Sequence, residues 1–288
     1  MQLSVRLTDV PLGAFITGAD LTAEVDDQTF GLIKRTLDER SVVTLKGQRI
    51  SPGDLTRFAS RFGELLVHAH SKNVLPDHPA VSVLSNIVEG GKNMGVPDAG
   101  MVWHTDGSYL NKPDMYTLLY GIEIPEKDGK PLGNTLYAST AAAYDALSES
   151  MKRKIAPLKA VHSLVHHSIN RARMGGTRIE ITDELKKKAP DRAQPVVRTH
   201  PVTGRKCIYV SEGHTTHVVG MEAEESASLL RELFDHMRRP EFVYSHSWEV
   251  GDLVIWDNPA TQHRATGDYA LPMRRLMNRV ATEGTTPF

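Results

Sequence analysis

The chain has 288 residues, a formal net charge of −1 and a single cysteine, Cys207. The nearly balanced charge excludes a nucleic-acid tract or a polybasic membrane patch, and one cysteine excludes an intrachain disulfide framework or a thiolate metal cluster. No stretch has the apolar length of a signal-peptide core or a bilayer span. We therefore expect a soluble cytoplasmic protein, with one domain over residues 1–288 that buries a substantial core.

Apolar residues at helical spacing predict four helices, at about residues 29–40, 51–62, 140–155 and 223–239. The second has the clearest local signals. Ser51 can act as the N-cap, Pro52 suits the first helical position and Asp54 is an acid at the third. This segment is therefore expected to begin a helix without help from distant residues.

Short runs of β-forming residues lie around these helices, at 42–45, 81–84, 101–104, 116–120, 134–137, 196–199, 207–210, 242–245 and 252–256. Glycine- and proline-rich turns separate many of them. Many short strands with few helices favour a mainly β fold with flanking helices, a sandwich or jelly roll, over βαβ units. The irregular stretches near 87–100 and 165–192 are expected to be active-site loops, since long loops in compact domains are often lids or binding loops.

The most informative residues are those of the run Trp103-His104-Thr105-Asp106. On a strand, residues i and i+2 point the same way, so His104 and Asp106 can offer a nitrogen and an oxygen to one point. His263, after a distant strand, can bring a second imidazole. Two histidines and one carboxylate leave further metal positions open, as in non-heme Fe(II) oxygenases. Alone, however, His-x-Asp arises often by chance.

Several further motifs follow in a specific order: Phe62-Gly63-Glu64-Leu65, Trp103-His104-Thr105-Asp106, Thr199-His200-Pro201, Gly251-Asp252-Leu253-Val254-Ile255-Trp256-Asp257-Asn258, His263 and Arg274-Arg275-Leu276-Met277-Asn278-Arg279. With them, the chain resembles the TauD/TfdA family of Fe(II)- and 2-oxoglutarate-dependent dioxygenases over nearly its whole length. The resemblance implies a double-stranded β-helix, the jelly roll of the clavaminate synthase-like type, with the metal at one mouth of the barrel.

The resemblance also assigns roles to individual residues. His104, Asp106 and His263 match the iron ligands, and Arg275 matches the arginine that pairs with the distal carboxylate of 2-oxoglutarate. A planar guanidinium suits that role because it can bind a carboxylate bidentately. Arg274 is the competing candidate, since one residue more in the preceding turn would exchange the two. Thr135 matches a threonine that adds a hydroxyl to the same carboxylate, although Leu132-Gly133-Asn134-Thr135 departs from the usual Gly-Gly-Asp-Thr.

Four more residues are candidates for the primary substrate. Arg279 matches a residue that binds the substrate's anionic group in several members, and His68 matches a substrate-contacting histidine of the taurine enzyme. His214 falls where that enzyme has an aromatic residue over its substrate, and Tyr109 is a candidate for the pocket wall. We therefore expect a small anionic organic substrate: a sulfonate, a sulfate ester, a carboxylate or an aryloxyalkanoate.

The implied reaction consumes O2 and 2-oxoglutarate at Fe(II), releases succinate and CO2, and hydroxylates the substrate. Asp106 favours hydroxylation, because halogenating relatives lack this carboxylate and bind chloride there. Relatives are usually multimers, so we expect a homo-oligomer, a dimer or a tetramer. Two alternatives remain open at this point. One is a zinc-type hydrolase or isomerase on a jelly roll, and the other is a non-catalytic protein that binds a metal or a 2-oxo acid.

Overall fold

The structure is a computed structural model that describes residues 3–67, 73–177 and 180–288. Within these ranges the chain forms seven α-helices: α1 (Asp27–Arg40), α2 (Pro52–Ala59), α3 (Thr140–Asp145), α4 (Glu149–Ile155), α5 (Leu164–Arg173), α6 (Asp183–Lys188) and α7 (Ala223–Met237). The described ranges contain no helix that is long and apolar enough to cross a membrane.

The same ranges contain twenty strands: β1 (Ser4–Leu7), β2 (Ala14–Thr17), β3 (Val42–Leu45), β4 (Val74–Leu75), β5 (His78–Ser85), β6 (Val88–Glu89), β7 (Lys92–Asn93), β8 (Asp114–Glu123), β9 (Glu126–Lys127), β10 (Lys130–Pro131), β11 (Thr135–Ser139), β12 (Lys159–His162), β13 (Arg192–Pro195), β14 (Val197–Thr199), β15 (Lys206–Ile208), β16 (Thr215–Val218), β17 (Val243–His246), β18 (Leu253–Asp257), β19 (Thr261–Ala265) and β20 (Leu276–Glu283). Many short strands with fewer helices confirm the predicted mainly β architecture.

The largest sheet has eight strands in the order β1-β2-β3-β18-β8-β20-β5-β4. Its central strand β8 pairs antiparallel with β18 and β20, which come from the last part of the chain. Successive residues point to opposite faces of a sheet. Leu118 and Ile255 accordingly join the cluster covered by α1 and α2, whereas Leu119 and Trp256 point to the other face.

A three-stranded sheet, β17-β11-β19, lies against that second face. Tyr137 of β11 is fully buried, with its ring centroid 5.6 Å from that of Trp256 in β18. In the pairing of β11 with β19, Tyr137 lies opposite His263. The predicted metal ligand therefore lies between two layers of sheet.

Local signals predicted some helices well. Ser51 caps α2 as expected, and its side chain and that of Asp54 form a reciprocal capping box. The helix predicted over 140–155 is two helices instead, because the Ser148 hydroxyl accepts a hydrogen bond from Met151 N and starts α4 anew. Residues 165–192, expected to be a loop, contain most of α5 and all of α6, which Ser163 and Thr182 cap in the same way.

His162, in β12, is a buried histidine that offers a test of stability against pH. Its Nδ1 lies 2.9 Å from Ser108 Oγ, its ring stacks on that of Tyr209, and burial lowers its pKa to about 3. Between this pKa and the unfolded value of 6.5, the unfolded chain binds a proton that the folded chain does not. As pH falls from 6.5 to 5, the free energy of unfolding should therefore decrease, and the contribution of His162 to this decrease should be about 2 kcal/mol.

Chemical unfolding at several pH values would measure this effect. His162→Gln should remove about that much of the pH dependence, whatever its effect on stability at pH 7. His217 is exposed, so His217→Gln should keep the wild-type pH dependence. Equal pH dependences in all three proteins would show that His162 contributes nothing to acid sensitivity.

Candidate metal centre and adjoining cavity

A cavity of about 330 Å³ lies between the two sheets. Its wall includes residues from β5, β8, β18 and β20 of the large sheet and from β11 and β19 of the small one. His104, Asp106 and His263 line it together. The interior of this strand-rich fold therefore holds both imidazoles and the carboxylate that the sequence motif suggested.

His104 and His263 are neighbours because their backbones form an isolated antiparallel bridge. His104 N donates to His263 O at 3.1 Å, and His263 N donates to His104 O at 2.9 Å. Residues paired in this way point to the same face, and the two ring centroids are 4.2 Å apart. Although the run before His104 was predicted to be a strand, a single bridge to β19 suffices to position it.

Asp106 completes the group just beyond this bridge. Its Oδ1 lies 3.5 Å from Nε2 of His104 and 3.8 Å from Nε2 of His263. Two metal–ligand bonds of about 2.1 Å reach at most about 4.2 Å between donor atoms, so one ion can span both separations. The residues fit a divalent metal bound by two nitrogens and one oxygen.

Hydrogen bonds to Asp106 leave Oδ1 directed at this point. Its other oxygen, Oδ2, accepts from Thr117 Oγ1 at 2.8 Å and lies 3.1 Å from Nη2 of Arg279. The backbone N of Asp106 donates to Asn258 Oδ1 at 3.2 Å. Burial favours the neutral acid, but the positive charge of Arg279, together with the interactions with His263 and His104, holds the pKa of Asp106 well below its usual range. The carboxylate is thus ionised and oriented before any metal binds.

The two imidazoles are likewise oriented to bind a metal through Nε2. Nδ1 of His104 lies 2.8 Å from Val102 O, an arrangement in which Nδ1 carries the proton and Nε2 keeps its lone pair. Burial lowers the pKa of His263 to about 3, so its ring is neutral at ordinary pH. Its ring packs on that of Trp256, at 4.7 Å between centroids. Nε2 of each histidine is therefore available to bind a metal.

Arg275 forms another part of the cavity wall. It is 6% exposed, its guanidinium donates to Gly133 O, and its Cζ lies 5.4 Å and 5.8 Å from the ring centroids of Tyr269 and Trp248. Burial lowers the pKa of Arg275, but from so high a value that the guanidinium stays charged. Thr135 also lines the cavity, and its Oγ1 accepts from Trp248 Nε1 at 3.0 Å. The hydroxyl proton of Thr135 therefore remains able to donate to a ligand.

The alternation of a strand separates Arg275 from Arg274. Arg275, Met277 and Arg279 are two residues apart along β20 and its start, and all three line the cavity. The side chain of Arg274 is 50% exposed and its Nε lies 2.9 Å from Glu123 Oε1, on the outside. Of the two candidates, only Arg275 reaches the cavity.

Comparison with known proteins accounts for this arrangement. The family model described as "Taurine catabolism dioxygenase TauD, TfdA family" matches residues 6–281. The chain belongs to the TauD/TfdA family. The resemblance predicted from the sequence is confirmed.

Two similar proteins and one solved structure match this chain over most of their length. Pentalenolactone F synthase of Streptomyces arenae is 31% identical over 288 residues, covering 94% of this chain and 92% of that protein. The alpha-ketoglutarate-dependent 2,4-dichlorophenoxyacetate dioxygenase of Burkholderia sp. is 32% identical over 279 residues, covering 93% and 89%. The crystal structure of AAD-2 in complex with Mn(II) and N-oxalylglycine matches with a TM-score of 0.81 and 31% identity, over 100% and 99% of the two chains. The chain is an α-ketoglutarate-dependent dioxygenase, as predicted.

The substrate residues that the TauD/TfdA resemblance suggested lie in different places. Tyr109 lines the cavity as expected. Arg279 also lines it, but its Nη2 lies between Asp106 Oδ2 and Asp114 Oδ2, at 3.1 Å and 2.9 Å. His214 is not part of the described cavity wall, and its ring lies behind His104 and beside His167, with centroids 5.8 Å and 4.5 Å away. His68 lies outside the described residues.

Several residues of the site were not predicted from the sequence. Thr117 and Asn258 hold Asp106, and Nδ2 of Asn258 donates to Thr117 Oγ1 at 3.0 Å. Asn258 belongs to a family motif, which was a usable signal, whereas Thr117 is one of many threonines in strands. Arg171 of α5 reaches the cavity from a segment that had been predicted to be a loop.

Proposed function

We propose that the chain binds Fe(II) through His104, Asp106 and His263, and that it uses O2 and 2-oxoglutarate to hydroxylate a small organic anion. The observation that carries the proposal is the convergence of two imidazole Nε2 atoms and one carboxylate Oδ1 beside a buried arginine. Fe(II) held there would couple oxidative decarboxylation of 2-oxoglutarate, to succinate and CO2, with hydroxylation of a C–H bond. The likeness to AAD-2, a protein described with Mn(II) bound, supports a divalent metal.

Arg275 and Thr135 are proposed to bind the distal carboxylate of 2-oxoglutarate. A buried guanidinium next to a hydroxyl donor can satisfy both oxygens of that group. The packing of Tyr269 and Trp248 around Arg275 fixes the guanidinium and excludes water from it. N-oxalylglycine, present in the AAD-2 structure, is a dicarboxylate that differs from 2-oxoglutarate by an NH in place of a CH2, which supports a 2-oxoglutarate site in this fold.

Gly133 provides a sharp test of the cosubstrate end. A Cβ there would lie 2.0 Å from Arg275 Nη1, and its φ of +73° already disfavours other residues. We predict that Gly133→Ala displaces the guanidinium and raises the KM for 2-oxoglutarate by about tenfold or more. Gly129→Ala is the matched control, because Gly129 has φ +72° and a Cβ there would meet nothing within 4 Å. Equal KM values in the two variants would contradict the assignment of Arg275 to 2-oxoglutarate binding.

Arg279 is assigned to positioning Asp106 and not to anchoring the substrate. Its Nη2 bridges Asp106 and Asp114, two carboxylates that both need compensation, since Asp114 is fully buried. Gly107, at φ +65°, allows this approach, because a Cβ there would lie 2.6 Å from Asp114 Oδ1. The anionic substrate class itself rests on the likeness to the 2,4-dichlorophenoxyacetate dioxygenase.

The alternatives are less well supported. A zinc-type hydrolase or isomerase would leave the cationic Arg275 end of the cavity without a ligand, and the two relatives described above are named as a synthase and a dioxygenase. A non-catalytic protein that only binds a metal or a 2-oxo acid would form no succinate. The deciding experiment measures succinate from 2-oxoglutarate in air, with Fe(II) or with Zn(II). Succinate with Fe(II) alone supports the proposal, and activity restored only by Zn(II) contradicts it.

The proposal also covers the fold type, the oligomeric state and the cellular location. The facing sheets are proposed to form the double-stranded β-helix of this family, which the TM-score of 0.81 to AAD-2 supports. A homo-oligomer, dimer or tetramer, and a cytoplasmic location stay as predictions from the sequence. Size-exclusion chromatography with light scattering would measure the first of these directly.

A further inference from the structure

Arg171 lines the cavity but belongs to neither the proposed iron site nor the proposed 2-oxoglutarate site. It projects from the last turn of α5, and its side chain is 12% exposed. Its Nη2 pairs with Asp98 Oδ1, while its Nε is buried without a hydrogen-bond partner among the described residues. A buried donor that lacks an acceptor is unusual in a folded protein. An acceptor that enters the cavity would satisfy it.

The end of α5 fixes Arg171 in this position. Gly176 N donates to Arg171 O and Gly175 N donates to Ala172 O, the two bonds of a Schellman motif, with Gly175 at φ +82°. This turn also presents Thr177 N to the second oxygen of Asp98. The arginine is thus held by the helix end and the carboxylate together.

Asp98 belongs to a segment that forms the wall beside the metal centre. Val96, Pro97, Ala99 and Gly100 line the cavity. Gly100 O accepts from Ala265 N at 2.8 Å, and a Cβ on Gly100 would lie 3.6 Å from Cε1 of His104. A ligand that contacts Arg171 would therefore lie in the same cavity as the proposed iron site.

The cavity wall contains three arginines within the described residues, and their surroundings differ. Arg275 lies in the proposed 2-oxoglutarate pocket, and Arg279 bridges the carboxylates of Asp106 and Asp114. Arg171 has one carboxylate partner, Asp98, whose side chain is 19% exposed on a connecting segment. Of the three, Arg171 is the one whose neutralising partner can be exchanged without disturbing a metal ligand.

We propose that Arg171 receives the anionic group of the primary substrate, and that Asp98 is its counter-ion when no substrate is bound. The inference rests on the proposed oxygenation of an organic anion. Nε and Nη2 of Arg171 would donate to the oxygens of a carboxylate, sulfonate or sulfate ester, which a planar guanidinium can bind bidentately. Asp98 then competes with the substrate for the same cation.

The test uses 2,4-dichlorophenoxyacetate, hexyl sulfate and hexanesulfonate as probes, with the neutral alcohol that corresponds to the first. Binding to the anaerobic Fe(II)·2-oxoglutarate enzyme is measured by calorimetry, and turnover by succinate formation. We expect at least one anion to bind and the neutral alcohol to bind at least tenfold more weakly. No binding by any of the three anions, or equal binding of the alcohol, would overturn the inference while slow succinate formation still supported the proposed function.

Variants then locate the receptor. Arg171→Met should raise the Kd of the bound anion about tenfold or more, with Arg171→Lys intermediate and the Kd of 2-oxoglutarate within about twofold of wild type. Asp98→Asn keeps an oxygen for Thr177 but removes the competing charge, so it should lower the Kd. Arg173→Met, an exposed arginine on the same helix, is the control. An unchanged Kd in Arg171→Met, or a raised Kd in Asp98→Asn, would overturn the assignment.

Discussion

Alanine at His263 is expected to reduce Fe(II) binding and succinate formation by more than two orders of magnitude. Replacing outer partners of metal ligands typically costs about 10- to 100-fold, and His263 is itself a proposed ligand. Its Nε2 is one of the three converging donor atoms, and alanine leaves that metal position without a protein ligand. Metal content after Fe(II) loading and the rate of succinate formation measure the two effects.

The matched control for this prediction is His217→Ala. His217 is exposed, next to Thr216 on β16, and should keep full metal content and activity. Thermal unfolding of metal-free protein would show whether the His263 variant is folded. A folded His263→Ala protein that binds Fe(II) as tightly as wild type would contradict the assignment of the triad.

Arg275→Met is expected to raise the KM for 2-oxoglutarate by about 100-fold while metal binding remains. Truncating one partner of a buried charge pair costs about 2–5 kcal/mol, and each 1.4 kcal/mol is a factor of ten. Methionine keeps the apolar volume between Tyr269 and Trp248, so the loss reports mainly the missing charge and hydrogen bonds.

Arg274→Met is the control, since the two arginines are adjacent and only Arg275 enters the cavity. Its KM for 2-oxoglutarate should remain within about twofold of wild type. If Arg274→Met raised the KM for 2-oxoglutarate and Arg275→Met did not, then Arg274 and not Arg275 would bind the cosubstrate.

Local sequence signals predicted those parts of the fold that neighbouring residues decide. Ser51, Pro52 and Asp54 specify the start of α2 by themselves, and the apolar stripe of α7 gave its bounds within two residues. The division between α3 and α4 was missed because the apolar spacing continues across it, while the break depends on a cap at Ser148. Ser163 and Thr182, which cap α5 and α6, were likewise not recognised as helix starts.

The candidate site was predictable where motifs name the residues and unpredictable where tertiary contacts decide their partners. The converging trio of His104, Asp106 and His263 followed from family motifs. Strand alternation could have separated Arg275 from Arg274 once the register of β20 was known. Nothing in the sequence placed Asp114 beside Arg279, because only the pairing of β8 with β20 brings the two together.

The proposed function requires one cavity to hold Fe(II) and 2-oxoglutarate together. The most direct measurement is an anaerobic titration of the Fe(II)-loaded chain with 2-oxoglutarate, followed by visible absorption. We predict a weak metal-to-ligand charge-transfer band that saturates with one 2-oxoglutarate per iron and is absent from His263→Ala. A chain that binds both Fe(II) and 2-oxoglutarate but forms no such band would show that the two do not meet in one site.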